Sequence, residues 1–182
     1  MGNTDARDRL LTTASRIFYL RGIHTVPVDE VIGAAGVSRA TFYRHFSGKE
    51  DLVRACLAAH ADDMRARVSE IVAAAGSPRV ALTVLVTGLG ERLRDTSFRG
   101  CPFINAAAEF PDPTHPVRGI IAGHRAWLVE AMTALLTTAG RPDPAADART
   151  LMMLRDGALV GGYLDDRSAT LATLARAVDS FT

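Results

Sequence analysis

The sequence predicts an all-α protein of about nine helices, with a small N-terminal head of three helices on a C-terminal helical bundle. Apolar residues recur every three to four positions along most of the chain, which is typical of helices that bury one face. No segment alternates apolar and polar residues as a half-buried strand does. Of the 182 residues, 48% are hydrophobic and 23% are charged, a composition typical of a globular protein with its own core.

The head begins with an amphipathic helix over residues 5–21, because apolar side chains recur at helical spacing until Gly22. A second, short helix follows over 28–35 and has acidic residues in its first turn, where the helix dipole favours them. Gly36 is expected to end this helix, since glycine adopts a positive φ at little cost. Ser38 is then expected to cap a third helix of about two turns.

The helices of the bundle are separated by glycines, prolines and the turn cluster PDPTHP. Ser47 and Glu50 have the spacing of a capping box, which predicts the start of the first of these helices. We expect two domains, a helix-turn-helix head over 1–47 and a bundle over 48–182. The predicted helices of the bundle lie at about 48–75, 79–95, 102–110, 116–139, 144–164 and 168–180.

Charge is nearly balanced over the whole chain, at +1, but one short segment departs from this balance. Residues 37–49 carry three fixed positive charges and no negative one. A protein that is close to neutral can still present a local cationic patch to nucleic acid. The composition therefore leaves open a small surface that binds DNA.

No segment has the pattern of a signal peptide or the length of a membrane span. The most apolar stretch, residues 80–90, covers about half of the length needed, so we expect a cytoplasmic protein with no membrane partner. The two cysteines, Cys56 and Cys101, suit neither a disulfide framework nor a four-ligand zinc module. Cys56 and His60 have a spacing that metal ligands use, but both fall on a predicted core stripe, and no metal is expected.

The motifs of common enzyme classes are missing from the sequence. There is no G-x-S-x-G elbow, P-loop or HExxH motif, and the segment GLGERL lacks the third glycine of a dinucleotide-binding loop. We therefore expect that the protein is not an enzyme, has no catalytic residues and needs no cofactor.

Two short helices joined by the tight link AAGVS follow the helix-turn-helix plan, in which the second helix can lie in the major groove of DNA. Phe42 and Phe46 share one face and are expected to hold this second helix to its scaffold. Its other side is rich in arginine, which can fork onto guanine, and in hydroxyl and imidazole groups, which suit phosphate oxygens. The alternative is a solvated basic helix with two core phenylalanines.

The segments AAGVS, TFYRHF and KEDL make this region similar to the N-terminal module of the TetR family of bacterial transcriptional regulators. The remainder resembles the family only in the number and length of its helices. The resemblance implies that residues 39–44 face the DNA, apart from the scaffold Phe42, while His45 and Lys49 contact the backbone. The family usually has Ser or Thr where Pro27 stands, so Thr25 is expected to supply that phosphate contact. The expected DNA contacts are Thr25, Ser38, Arg39, Ala40, Thr41, Tyr43, Arg44, His45 and Lys49.

The resemblance also implies a homodimer that binds paired half-sites in double-stranded operator DNA, with an interface formed by the last two helices of each chain. Apolar stripes run along both helices, and two glycines four residues apart would let two backbones approach closely. The alternative is that these stripes complete the core of the single chain. The residues predicted for the interface are Leu151, Leu154, Gly157, Ala158, Gly161, Leu164, Leu171, Leu174 and Val178.

TetR-family proteins bind an effector inside the body, which implies an unknown small-molecule effector for this chain. The most unusual stretch is RGCPFINAAAEF, in which Cys101, Asn105 and Glu109 are spaced by four and phenylalanines flank them. An apolar pocket with a few polar groups is typical of small-molecule sites. Alternatively, Asn105 and Glu109 cap or bridge helices. The residues predicted to line the site are His60, Met64, Phe98, Cys101, Phe103, Asn105, Glu109, His124 and Trp127.

The function predicted from these features is that of a DNA-binding transcriptional regulator, a repressor that a small-molecule effector releases from its operator. Cys101 suggests an alternative, because a cysteine near a helix N-terminus and Arg99 has its thiolate favoured. Such a regulator would sense oxidants or electrophiles, although a plain buried cysteine is the simpler interpretation. A helical protein-interaction module without DNA binding is the third alternative.

Overall fold

The structure, a computed structural model, describes residues 3–181 and the side chains of residues 5–181. Over this range the chain forms nine α-helices and no strand, which confirms the predicted all-α fold. None of these helices combines the length and the apolar character that a membrane span requires. They are α1 (Asn3–Arg21), α2 (Val28–Ala34), α3 (Arg39–His45), α4 (Lys49–Ala74), α5 (Pro78–Arg94), α6 (Pro102–Glu109), α7 (Pro116–Thr138), α8 (Pro144–Leu164) and α9 (Arg167–Asp179).

Most helix ends lie within a residue or two of their predicted positions because local signals determine them. Gly22 and Gly36 adopt φ values of +88° and +64°, so the chain leaves α1 and α2 in a conformation that favours glycine. Ser38 caps α3 as predicted, since its side chain accepts a hydrogen bond of 3.1 Å from the Thr41 backbone amide.

The prediction that Glu50 pairs with Ser47 in a capping box at the start of α4 is wrong, because Asp51 takes this place. The backbone amide and the hydroxyl of Ser47 donate to the Asp51 carboxylate, at 3.0 and 3.3 Å. These bonds, with a contribution from Arg54, hold the pKa of Asp51 below its ordinary value. Glu50 instead lies 3.6 Å from Nε2 of His115, so the carboxylate one residue later in the chain takes the predicted role.

The chain divides into two compact units whose limits differ from those of the predicted domains. Unit 1 contains the residues up to Asp62 together with Pro102–Ala122, and unit 2 contains Asp63–Cys101 and the residues from Gly123 onward. Unit 1 therefore includes α6 and the first parts of α4 and α7 in addition to the three helices of the predicted head. The sequence carries no local signal for this grouping, because α6 is distant in the chain from α1–α3.

The first three helices pack against one another in unit 1. Leu10 of α1, Val31 of α2 and Phe42 of α3 are completely buried, as is Val26 in the turn before α2. Removing such side chains from water contributes roughly 1.5–3 kcal/mol each. This small core holds α3 by its inner side and leaves its outer side exposed.

In unit 2, α8 packs on both α5 and α9. The approach of α8 to α5 depends on Gly162, where an added Cβ would lie 2.1 Å from Cδ2 of the completely buried Leu93. The apolar cluster of this unit also includes Leu82 and Leu136 from α5 and α7. The four helices α5, α7, α8 and α9 therefore share one core within the single chain.

Most side chains predicted for the dimer interface contact this core of the single chain. Leu151, Ala158, Leu174 and Val178 are buried in it, and Leu154 packs against it. A stripe that faces its own core has the same helical spacing as a stripe that faces a partner, so the sequence pattern alone does not separate the two.

The remaining predicted interface residues divide in the same way. An added Cβ on Gly161 would lie 3.2 Å from Oγ1 of Thr170, and Leu171 lies beside Gly90 of α5. Gly157 and Leu164, by contrast, are exposed. Of the nine predicted residues, these two are exposed in the single chain, and Leu154, Gly161 and Leu171 are half-buried.

Candidate nucleic-acid interface

Aromatic packing along one side anchors α3 to unit 1. Phe42 is completely buried, Phe46 is 3% exposed, and their ring centroids are 5.8 Å apart. The Tyr43 ring meets Phe42 edge-on at 5.1 Å, although the residue as a whole is 55% exposed. The two phenylalanines thus hold the helix to its scaffold, as the sequence predicted.

The outer side of α3 and its cap carry hydroxyl, phenol and guanidinium groups, and no acidic residue lies in its first turn. A helix that reads a groove in DNA must leave this side free, and the structure does so. The exposed residues, here named the α3 ridge, are Ser38, Arg39, Ala40, Tyr43 and Arg44.

The two arginines of the α3 ridge have different surroundings. Nη2 of Arg39 donates to the Asp29 carboxylate of α2, and both side chains remain more than half exposed. This hydrogen bond, followed by the charge of Asp29, raises the pKa of the Arg39 guanidinium above its ordinary value. Arg44 is exposed and makes no ion pair within the described part of the chain. Its guanidinium is therefore fully available to a phosphate or a base.

Thr41 is less available than the α3 ridge. It is half-buried, and its hydroxyl lies 2.9 Å from the hydroxyl of Ser38, with either group able to donate. Because the Ser38 oxygen also accepts from the Thr41 amide, the two hydroxyls form part of the helix cap. A DNA contact through either would have to coexist with this cap.

The residues predicted to contact the DNA backbone are more enclosed than expected. Nε2 of His45 is buried and has no hydrogen-bond partner among the described residues, so a phosphate contact would have to use Nδ1. Nζ of Lys49 donates to the His24 carbonyl at 3.3 Å. Burial lowers the pKa of the Lys49 ammonium, and the charge of Glu109 acts in the opposite direction. Thr25 is exposed.

A contact that was not predicted joins α6 to the turn between α1 and α2. The Glu109 carboxylate accepts hydrogen bonds from the backbone amides of Ile23, at 2.8 Å, and His24, at 2.6 Å. Nε2 of His24 lies 2.7 Å from the Glu109 carbonyl oxygen. Each oxygen of the Glu109 carboxylate therefore accepts from one of these amides and links α6 to the turn. This is the bridging role that the sequence left open as an alternative.

The sequence contains one partial signal for the contact between Glu109 and the turn. Gly22 precedes the two amides, and its positive φ turns the chain so that consecutive N–H groups can face one acceptor. The acceptor itself comes from a residue 86 positions away from Ile23. No pattern within the turn identifies that partner.

The residues predicted to line an effector site are divided between the two units. His60, Phe103, Asn105 and Glu109 belong to unit 1, where the His60 ring packs on Phe103 at 5.4 Å. Phe103 is 2% exposed, so this pair is part of the interior of the unit.

The other predicted lining residues belong to unit 2. His124 is 2% exposed, and its ring centroid lies 5.9 Å from that of Trp127. The Arg65 guanidinium lies over the Trp127 ring at 5.5 Å, a cation–π arrangement. Phe98 is buried and Met64 is half-buried. Aromatic, thioether and cationic groups are thus present in this unit.

Cys101 lies in an environment that favours the simpler interpretation of a buried structural cysteine. It is 4% exposed. Arg99, whose charge was expected to favour the thiolate, places its guanidinium over the Tyr163 ring at 5.6 Å. A sensor thiol needs access to the oxidant as well as nearby positive charge. Within residues 5–181, no group of three or more His, Cys, Asp or Glu side chains is placed to hold a metal ion.

Comparison with known proteins identifies the family. Residues 10–56, which include the α3 ridge, match the model of the family "Bacterial regulatory proteins, tetR family". A TetR-family transcriptional regulator from Streptomyces coelicolor is 41% identical in sequence and superposes with a TM-score of 0.93, covering 98% of this chain and 94% of that one. The chain belongs to the TetR family.

Relatives of this TetR-family protein agree with that assignment. An HTH-type transcriptional regulator of Mycobacterium tuberculosis is 30% identical over 144 residues, covering 79% of this chain and 68% of the relative. The HTH-type transcriptional repressor KstR2 of Rhodococcus jostii is 35% identical over 86 residues, covering 47% of this chain and 42% of the relative. This TetR-family protein is a transcriptional regulator with a DNA-binding domain, and it is not an enzyme.

Proposed function

We propose that this TetR-family regulator represses transcription by binding double-stranded operator DNA through the α3 ridge. The observation that carries the proposal is the exposure of Arg39, Tyr43 and Arg44 on a helix whose opposite side is anchored by the buried Phe42. Such a helix presents its reading side to the major groove, with its N-terminal residues nearest the bases. The relative KstR2 is a repressor, which is the precedent for the proposed repression, whereas the relative FasR of Mycolicibacterium smegmatis is an activator.

A gel-shift titration against the DNA upstream of the protein's own gene tests this proposal. Arg44→Ala removes a guanidinium that is free to contact DNA, and we expect its affinity to fall by about tenfold to a hundredfold. Arg67→Ala is the matched control, because Arg67 is an exposed arginine of α4 outside the matched family region. Wild-type binding should weaken steeply as salt concentration rises. Equal affinities for the wild type and Arg44→Ala would contradict the role of the α3 ridge.

We also infer that the regulator acts as a homodimer and that an exposed stripe of α8, which includes the predicted Gly157 and Leu164, contributes to the interface. Met153, Gly157, Val160 and Leu164 are exposed and follow one another at intervals of four, three and four residues. This is the spacing of a coiled-coil seam. A dimer would set two reading helices about 34 Å apart, one turn of DNA.

Release by a small-molecule effector completes the proposed mechanism. An effector releases DNA only if it binds the state with low DNA affinity more tightly than the other state. Trp127 is the single tryptophan of the chain and lies beside His124 and Arg65. Its fluorescence therefore reports binding in unit 2 directly. A compound that changes this fluorescence to saturation but leaves operator affinity unchanged is not the effector.

A further inference from the structure

The first turn of α2 carries two carboxylates, and each pairs with an arginine of a different helix. Asp29 accepts from Arg39 at the start of α3, and Glu30 accepts from Arg21 at the end of α1. Both pairs are exposed to solvent, and exposed ion pairs contribute little to stability. Stability alone is therefore a weak reason for placing Asp29 beside a DNA-facing arginine.

Electrostatics makes the position of Asp29 unfavourable for general DNA binding. Arg39 is the first residue of α3, and the N-terminal end of a reading helix lies nearest the bases. The phosphate backbone repels a carboxylate at this place, and 54% of the Asp29 side chain is exposed. Asp29 should therefore reduce the affinity of the protein for DNA of any sequence.

The ion pair also restricts what Arg39 can do. A guanidinium has five N–H donors, and the bond to Asp29 uses one nitrogen, Nη2. The remaining donors are sufficient for a two-pronged bond to O6 and N7 of guanine. An unrestrained arginine of the same length could swing to a phosphate instead, which carries no sequence information. Holding the guanidinium also reduces the side-chain freedom that is lost on binding.

We propose that Asp29 is a specificity-determining positioning residue, which holds the Arg39 guanidinium toward a base pair and away from the phosphates. This proposal rests on the proposed function, DNA binding through the α3 ridge. Asp29 lowers affinity for all DNA and raises discrimination at the base pair that Arg39 reads. The two effects have opposite signs, which separates this role from a purely structural one.

The test uses the full chain as wild type, Asp29→Asn, Arg39→Ala and Glu30→Gln. Selection of bound DNA from a random pool defines the preferred site of the wild type. Affinities are then measured for that site, for each single base-pair change in it and for unrelated DNA. Glu30→Gln is the matched control, because it removes the same charge from the same turn of α2 but leaves the Asp29–Arg39 pair intact.

We expect Asp29→Asn to bind unrelated DNA severalfold more tightly than the wild type, since one negative charge is gone. Its discrimination should fall by about tenfold at one base-pair position per half-site, and Arg39→Ala should lose discrimination at the same position. Glu30→Gln should also bind unrelated DNA more tightly but keep the base preference of the wild type. The double variant Asp29→Asn/Arg39→Ala should have the preference of Arg39→Ala alone.

Two results would overturn the inference while leaving the proposed function intact. One is a base preference of Asp29→Asn equal to that of the wild type, in a protein whose Arg39→Ala variant loses that preference. The other is an equal loss of preference in Glu30→Gln, which would assign the effect to charge alone. Asp29→Ala replaces Asp29→Asn if the latter does not fold. A wild type that selects no DNA sequence would reject both the proposed function and this inference.

Discussion

Cys56 shows how burial sets the chemistry of a single residue. The residue is 7% exposed, and its Sγ lies 3.8 Å from the carbonyl oxygen of Leu11. Burial raises the pKa of the Cys56 thiol to about 11, and a hydrogen bond to Ser15 and the charge of Arg7 offset this only in part. The thiolate is the reactive form, so Cys56 should be inert at ordinary pH.

We therefore expect iodoacetamide to modify Cys56 slowly in the folded protein at pH 8. Its thiolate fraction there should be about a hundredfold lower than that of an unperturbed cysteine. Mass spectrometry of peptides after timed alkylation measures the rate. The same protein in denaturant is the control, since unfolding removes the burial that raises the pKa. Equal rates in the folded and unfolded protein would disprove the assignment.

The Glu109 side chain attaches α6 to the turn between α1 and α2. Glu109→Ala should lower the free energy of unfolding by about 1–3 kcal/mol, because two backbone amides lose a charged acceptor. Urea unfolding followed by far-UV circular dichroism measures the change. Glu70→Ala, at an exposed position of α4, is the control and should change stability little. An equal effect of both substitutions would show that the bridge contributes nothing.

The close packing of α8 against α5 at Gly162 gives a second prediction, which concerns stability. Gly162→Ala places a Cβ 2.1 Å from Leu93, which is completely buried and has little room to move. We expect a loss of about 1–3 kcal/mol in stability through overpacking. Gly123→Ala, where no atom lies within 4 Å of the added Cβ, should instead stabilise α7 by about 0.5–1 kcal/mol.

Thermal unfolding of the two alanine variants measures these changes. The prediction requires opposite signs, because both replace a helical glycine and differ in the space around the new Cβ. A Gly162→Ala protein as stable as the wild type would mean that α5 and α8 separate at little cost.

The exposed α8 residues Met153, Gly157, Val160 and Leu164, here named the α8 seam, predict the oligomeric state of the whole molecule. Val160 is 44% exposed on that seam, and Val84 of α5 is 42% exposed elsewhere in unit 2. Val160→Asp should produce monomers, because a buried carboxylate without a partner is costly. Val84→Asp introduces the same change at a matched exposure and should leave the dimer intact. Light scattering after size-exclusion chromatography measures the mass, and a Val160→Asp dimer would exclude this interface.

The α3 region shows why much of the site was predictable from sequence. Ser38 as a cap, Gly36 at positive φ and Phe42 as an anchor depend on contacts within a few residues or on one apolar face. The pairing of Arg39 with Asp29 and of Lys49 with the His24 carbonyl joins different elements. Such contacts depend on packing angles that no short pattern specifies.

The sequence by itself determined the helices, their limits, the helix-turn-helix and the family, because periodicity, caps, glycines and the TetR motif are local features. The tertiary structure decided which side of α8 is buried, how α6 is bonded to the turn after Gly22, and which arginine of the α3 ridge is restrained. The physical reason is that one helical stripe or one carboxylate can serve several partners. Only the packed chain selects among them.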